Sequence, residues 1–535
     1  VPTHGDRKKT MTAIYWFRND LRLCDQPSFK NACAQATRLA PVFIHDSAYQ
    51  AETRWGFERL GPHRKHALRS ALQALKAQLR ERQSDLLEYQ GDPVDTLITL
   101  AKNLHVETIF CEEIAAPEEQ QQVARLRKAG LTVNTLWHSS LLAPHDLPFA
   151  IEQLPLVFTE FRVAVEKAKV LVLPPEAAPA NVPPLPDRLV DNRTTVNDRT
   201  LPLPPESFGS VDSHDSLDSL GSLGSLDSHD SLGSLGSLGS LGSLGSLGSL
   251  GSFESTESLA QLDARSSLTF LTANDFAGSH GGLKHTQQYF ERKLAHSYKA
   301  TRNQLSGLDY STKFSVWLAS GALSARMLYQ QLQAFEAEQG ANDGSYWIWF
   351  ELLWRDYFRF LHLRFGAQLY RRSGLRQRAA VEQRAQRDGK THFNTGKSHV
   401  NASKPQFNAS IEQAGGAVIK TPAQAELFER WCMGECGEPF IDAGMRELRH
   451  TGYLSNRLRQ VVASYLIHNL KLDWRAGAAW FESQLIDYDV YSNQGNWLYI
   501  AGLGTDPRGG RAMRTDKQAL EHDRDETYRK KWGTL

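Results

Sequence analysis

The 535-residue chain is poor in cysteine, in long apolar runs and in net charge. Its five cysteines, Cys24, Cys33, Cys111, Cys432 and Cys436, are too few and too odd in number for a disulfide framework, which predicts a reducing, cytoplasmic compartment. Cys432 and Cys436 stand as C-x3-C without a second pair, so no metal site is expected there and they read as small helix–turn residues. No run of roughly 18 or more apolar residues occurs, and a membrane span is not expected. No G-x-G-x-x-G follows the first apolar segment, so the dinucleotide fingerprint is missing. Val1 to Thr10 are polar and basic without an apolar stretch, unlike a secretory signal; they read as a disordered leader, with Met11 a candidate start.

The net charge of +1 conceals an asymmetry. Residues 1–270 hold 26 Lys+Arg against 33 Asp+Glu, whereas residues 271–535 hold 35 against 27. Nine of the 12 tryptophans fall in the basic half. A basic, aromatic-rich half suits a polyanion or a bound ring system. With 41% hydrophobic and 23% charged residues, the whole is ordinary for a globular protein of several domains.

Along the chain, Ala13–Phe17 and Ala40–Ile44 read as buried strands, with a helix around Ser28–Thr37 between them. A helix over 62–83 shows Leu68, Leu72, Leu75 and Leu79 at helical spacing. Strand 86–89, helix 93–103, strand 108–111, helix 117–129 and strand 132–136 follow. This alternation predicts a doubly wound parallel α/β domain over 11–150. Residues 151–209 read as an interdomain connector, Pro-rich and extended over 174–208. Residues 210–252 are Ser-Leu-Gly triplets without Lys, Arg or aromatic residues and predict a disordered low-complexity insertion. From 253 to 535 helical patterns dominate: 284–298, 324–338, 345–365, 422–433, 440–450, 455–470 and 475–486.

Four segments in that helical half stand out. Asp309–Ser315 combines hydroxyls, Lys313 and backbone N–H groups before a helix, a pattern that suits a phosphate or an ordinary cap. Tyr346–Phe360 packs eight aromatics into 15 residues around Glu351 and Arg355. A carboxylate and a guanidinium in an aromatic face are costly to bury unless paired or used, so the segment is either core or the wall of a pocket for a flat ring. Asn456-Arg457-Leu458-Arg459 opens an apolar helix. Asp487-Tyr488-Asp489, with Asn493 and Trp497, offers carboxylates to a ribose or heterocycle; with no His nearby, metal is the weaker option.

Together with Trp16–Leu23, Thr301-Arg302-Asn303 and Gly495–Tyr499, these segments resemble the photolyase/cryptochrome superfamily, most closely its cryptochrome-DASH branch. The resemblance covers residues 12–150 and about 253–532. It implies an α/β domain followed by a mostly α-helical FAD-binding domain. It also implies light-driven splitting of cyclobutane pyrimidine dimers, favouring single-stranded DNA, by a monomer. A methenyltetrahydrofolate antenna is implied between the domains.

By motif position, Tyr298, Ser311, Thr312, Lys313, Phe314 and Ser315 would wrap the phosphates and ribityl chain of FAD. Arg355 would pair with Asp487 near the flavin, Asp489 would meet the ring edge, and Asn493 would lie near N5. Asn456 and Arg459 would border the same pocket. Glu351 would hydrogen-bond the thymine carbonyls, with Trp354 and Tyr499 stacking on the flipped dimer. Glu351, Trp354, Asn456, Arg457 and Tyr499 would thus meet DNA. Trp497 and Trp474 match the first two members of the electron-transfer chain; the usual third would lie near Ile419–Thr421, and Trp431 is the nearest substitute. Cys24 stands where the family has His, and Cys436 where Thr is common. Glu118 or Glu119 would serve the antenna. The competing function is a non-enzymatic blue-light receptor of the same fold. Retention of Glu351, Asn456, Trp354 and Tyr499 favours repair.

Overall fold

The computed structural model describes residues 11–190, 263–268, 278–375, 419, 421–506, 509–510 and 512–533. The expected leader 1–10, the insertion 210–252 and the end of the connector lie outside the described residues. Five parallel strands, β1 (Thr12–Phe17), β2 (Arg38–Asp46), β3 (Leu87–Gly91), β4 (Thr108–Glu112) and β5 (Thr132–Leu136), form one sheet in the order β3-β2-β1-β4-β5. Strand β1 is central, pairing Ile14 with Ala40 on one side and Ile109 on the other. Its run is apolar throughout because both faces are covered. Ile14 and Trp16 join a closed core with Val42, Ile44 and Ile109. Ala13, Tyr15 and Phe17 point the other way, into a core that continues through the helical domain.

Helices α1 (Pro27–Gln35), α2 (Pro62–Arg80), α3 (Pro93–Leu104) and α4 (Pro117–Lys128) each start on a proline, whose fixed φ and missing N–H suit a first turn. The expected bounds hold to within a few residues. Within the expected connector, ahead of its Pro-rich stretch, Phe158–Ala168 is a helix, α5, burying Phe158, Phe161 and Val165 at helical spacing. The helical domain comprises α6 (Ser279–Glu291), α7 (Ser315–Ser320), α8 (Ala325–Gln339), α9 (Asp343–Phe365), α10 (Pro422–Met433), α11 (Pro439–Thr451), α12 (Asn456–Ser464), α13 (Trp474–Gln484) and α14 (Val490–Ala501), then two short helices at Thr515–His522 and Thr527–Gly533. The helix expected over 455–470 ends at Ser464 and passes into a π-helical turn, Tyr465–Asn469. Among the described residues no helix is long and apolar enough to cross a membrane.

The two domains are joined by the loop leaving β1. Asp20, fully buried, accepts hydrogen bonds from the Tyr15 hydroxyl (2.6 Å), the Arg18 amide (2.7 Å) and the Gln26 side chain, which folds the loop tightly. The loop then presses on the end of α7. The Leu21 amide donates to Ser320 O at 3.1 Å and the Arg22 guanidinium to Gly321 O at 2.9 Å. Gly321 has φ +72°, and a Cβ there would lie 2.0 Å from Asn19 O, so only glycine admits this approach. On the other flank Asp356 of α9, fully buried, accepts the Leu141 and Leu142 amides at 2.9 and 2.8 Å.

Glu112 closes β4 at this interface, buried among Asp20, Arg18, Arg22, Arg359 and Tyr491. Burial first and Asp20 second push its carboxyl up to about 8, against the pull of the arginines. A folded-state value above the unfolded one means stability that is complete below about pH 4.5 and lost as pH rises through about 8. Glu112→Gln, neutral throughout, is expected to flatten that loss in urea unfolding measured across this range; an unchanged slope would contradict it. Asp356→Ala strips two buried amides of their acceptor and is expected to cost roughly 2–5 kcal/mol, visible as a lowered denaturant midpoint.

Candidate functional site

One wall of the main cleft comes from α9. Ile348, Glu351, Leu352 and Arg355 recur at i, i+3, i+4 and i+7 and so share a face. Facing them are Tyr453, Leu454, Asn456 and Arg459 at the start of α12, where Ser455 caps the helix through the Leu458 amide. Tyr298, the segment Tyr310–Ser315, Asp487 and Asp489 complete a space of about 1120 Å³. Eleven of the twelve residues expected to hold the cofactor thus line one cleft: Tyr298, Ser311, Thr312, Lys313, Phe314, Ser315, Arg355, Asn456, Arg459, Asp487 and Asp489. The twelfth, Asn493, lies one turn beyond Asp489 on α14, its amide donating to Ala478 O at 3.0 Å.

The ion pairs differ from expectation. Asp487 is held by Arg459, whose Nη2 lies 2.9 Å from both carboxylate oxygens. Arg355 instead donates to Ser139 O at 2.6 Å and to Leu318 O at 3.4 Å. The expected Arg355–Asp487 pair is corrected accordingly: α12 presents Arg459 to Asp487 while Arg355 turns to the domain interface. Burial first, and Arg359 second, lower the Arg355 guanidinium to about 9. Asp489 pairs with Arg359 at 2.7 Å and also caps α14 through the Ser492 amide at 2.8 Å. Burial pushes its carboxyl up, but Arg359 and Arg355 prevail and hold it at about 2.

Two features suit the cleft to a ring bearing phosphates. The buried Ser311 Oγ has no hydrogen-bond partner. Arg355, half-buried in the cleft wall, with the buried Arg359 one turn behind it, favours electron-rich groups beside it. Lys313 lies differently from a phosphate-binding lysine: its ammonium sits 3.6 Å from the Tyr310 ring centre and 4.6 Å from that of Tyr453, buried, with its pKa lowered mainly by that burial.

At the cleft's mouth Glu351 is ion-paired with Arg302, whose guanidinium also lies 5.4 Å from the Trp347 ring centre. Burial raises the Glu351 pKa, with Arg302 acting against it. Asn456 is exposed on the rim, and Arg457 donates to Asn303 at 3.1 Å. Trp354 and Tyr499 meet edge to face at 5.8 Å. One face of Trp354 is stacked on Phe158 at 3.7 Å. Sequence reasoning gave no role to Arg302, Asn303 or Phe158. The spacing of Phe158, Phe161 and Val165 was the available signal for the last.

The tryptophans form part of a different layout from a simple series. Trp497, on α14 two turns beyond Asp489, packs on Gly477 of α13. A Cβ at Gly477 would lie 2.2 Å from the Trp497 ring, so a side chain there would displace it. Trp431 lies 6.4 Å from Trp497, directly beside it rather than beyond Trp474. Trp474 is buried and donates its indole N–H to Arg372 O.

A second cleft, open to solvent, lies between the domains at the carboxyl ends of β1 and β2, beside the β1/β4 switch in strand order where such sheets bind ligands. Tyr49, Arg64, Glu119 and Tyr488 line it. Burial raises the Glu119 pKa. Glu118 turns away: Arg59 donates to both of its oxygens at 2.9 Å while also pairing with Glu482. The short helix α7 separates the two cavities, and Ala319 lines both.

Comparison with known proteins follows the same division. Residues 13–183 match the family described as DNA photolyase, and residues 347–533 match the FAD binding domain of DNA photolyase. Cryptochrome DASH of Gloeobacter violaceus is 35% identical over 98% of this chain and 85% of that protein. The Xenopus laevis cryptochrome DASH is 34% identical over 97% of this chain and 82% of its own length. The crystal structure of a Synechocystis cryptochrome superposes with a TM-score of 0.71 at 33% identity, covering 97% of this chain and 88% of that one. With both domains matched in order and nearly the whole length aligned, the chain belongs to the cryptochrome DASH branch of the photolyase/cryptochrome superfamily.

Proposed function

We propose that this chain is a light-driven, FAD-dependent lyase that splits cyclobutane pyrimidine dimers in single-stranded DNA, acting as a monomer. The observation that carries the reading is the meeting of Glu351 and Asn456 with Arg355, Arg459, Asp487 and Asp489 around one cleft. FAD bound here would supply the light-driven one-electron transfer that opens the dimer. Ser311, Thr312 and Ser315 would hold its phosphates, and Tyr298 and Phe314 its chain. Arg355, Arg459 and Asp489 would orient the ring. Lys313 serves the site by pinning its segment between two tyrosines.

A dimer flipped into the mouth would meet Glu351, whose burial favours a proton and so a donor to a thymine carbonyl that gains charge. Binding it requires Arg302 to release Glu351. Arg302 and Arg457 would then face the DNA phosphates. Trp354, with one face already covered by Phe158, offers its remaining surface with Tyr499 as the aromatic wall. Glu119, rather than Glu118, would meet a methenyltetrahydrofolate antenna in the second cavity. The cysteines, all free, suit a reducing cytoplasmic compartment.

The deciding experiment is repair of a dimer-containing oligonucleotide, single- and double-stranded, in light and in darkness. Light-dependent repair favouring the single strand is expected; a yellow protein that repairs neither would leave the photoreceptor reading. Glu351→Ala is expected to lower the repair yield roughly 10-fold or more with FAD content unchanged. Trp497→Phe is expected to slow photoreduction of the flavin, followed by the loss of its visible absorbance, while chemically reduced enzyme still repairs.

A further inference from the structure

We propose that a small polar chamber between the two clefts holds ordered water, and that Glu112 on its wall is the internal proton donor that answers negative charge arriving on a ring in the main cleft. The inference rests on the flavin reading above and adds a proton path to it.

The chamber is walled by α7, the end of β4, the loop after β5 and α9. Leu318, Ala319, Arg355 and Asp489 belong both to it and to the main cleft. Asn19, Ile114 and Ala319 belong both to it and to the second cleft. It therefore joins the two. Its volume is about 20 Å³, and a water needs roughly 10–15 Å³ of such space.

Four of its wall residues carry a buried polar atom that has no hydrogen-bond partner among the described residues: Glu112 Oε2, His138 Nε2, Ser139 Oγ and Arg359 Nε. Glu112, His138 and Arg359 are 3, 6 and 2% exposed. Leaving such groups dry is costly, and one water can serve several of them at once. Their polarity sets the direction of transfer. Arg22 Nη2 lies 3.4 Å from His138 Nδ1 and can only donate, so the proton of the neutral imidazole sits on Nε2. His138 Nε2 and Arg359 Nε are thus donors, and the Ser139 hydroxyl can turn either way. Water held by them has lone pairs free to take a proton from Glu112.

Glu112 is the group with a proton to give. Burial first and Asp20 second keep its carboxyl protonated up to about pH 8, against Arg22, Arg359 and Arg18. Arg355, Tyr491 and Cys111 also face it. Burial raises the Tyr491 phenol far out of range and the Cys111 thiol to about 12, so neither yields a proton near neutrality. Asp489, at the main-cleft end, is held at about 2 and has none to yield. Asn493 offers only an amide, already engaged with Ala478 O. The step balances one for one. An electron delivered to the ring is matched by one proton from Glu112, passed on by exchange through the water. Glu112 is left as a carboxylate beside its arginines, and one solvent proton returns to it through the second cleft.

The test uses the full-length protein as wild type, Glu112→Gln, Ser139→Val, and Glu112→Gln combined with Asn493→Asp. In darkness, the infrared carbonyl band of protonated carboxyls is titrated with pH. After a flash, the visible shift that marks proton uptake by the flavin is timed, with FAD content and unfolding midpoint as controls. The wild type is expected to lose one carboxyl component as pH rises through about 8, with proton uptake slowing over the same range. Glu112→Gln is expected to lack that component and to take up the proton about 100-fold more slowly at every pH, with FAD content unaltered. Ser139→Val, which keeps Glu112 but replaces a hydroxyl with methyls, is expected to slow uptake several-fold while the component stays. Asn493→Asp, by setting a carboxyl beside the ring, is expected to restore uptake in the Glu112→Gln background, which a purely structural Glu112 would not allow. A component titrating near 8 that survives Glu112→Gln overturns the proposal, and so does uptake by Glu112→Gln at the wild-type rate. A wild-type preparation without FAD overturns the flavin reading instead, while the dark titration still reads Glu112.

Discussion

Arg359 and Asp489 form an almost completely buried ion pair, and three parts of the molecule depend on it. Removing two charges from water is costly, and the pair is offset by two guanidinium–carboxylate hydrogen bonds, at 3.3 and 2.7 Å, and by the Ser492 amide donating to Asp489. Asp489 is at once the partner of Arg359 and the cap of α14, the helix that carries Asn493 and Trp497. One turn back on α9, Arg355 reaches the main cleft and the α/β domain together through Ser139. Its neighbour Asp356 fixes the Leu141 and Leu142 amides. A single stretch of α9 therefore sets the domain interface, the cleft wall and the start of the tryptophan-bearing helix. Any shift along this helix would be felt at all three.

Such an arrangement explains why charge is buried so freely at the interface. Glu112, Asp356 and Arg355 all have pKa values moved toward neutrality by burial, whereas Asp489 is moved the other way by two arginines. The difference lies in stoichiometry: Asp489 has the cations closest at hand, and the others share them. A chain whose total charge is near zero can still hold a strongly polarised interior.

Much of this was legible in the sequence because the signals are local. The βα alternation follows hydrophobic period, and prolines mark the starts of α1 to α4. Residues expected to gather around the cofactor do line one cleft, since each belongs to a short segment recognisable by itself. What was not legible depends on which segment meets which. Arg355 and Arg459 are equivalent in sequence terms, and only the crossing of α9 and α12 assigns Asp487 to the latter. Glu118 and Glu119 differ by one residue, about 100° around a helix, so one enters the cavity while its neighbour pairs with Arg59. Trp431 was placed by proximity in sequence to the missing Trp near 419–421, but α10 lays it against Trp497. Phe158 was hidden because its helix lies in a segment read as connector.

The thinness of α7 has a consequence of its own. Ala319, a residue with almost no side chain, faces both cavities. Rings seated on either side would approach to about one helix diameter, ~10–12 Å. Over such a gap the coupling of two transition dipoles depends steeply on separation and angle, and both are set by a rigid backbone partition rather than by either ligand. With the flavin and the antenna of the proposed function in place, the wall would act as an optical spacer, keeping two absorbers too far apart to mix their orbitals, yet near enough to pass excitation energy.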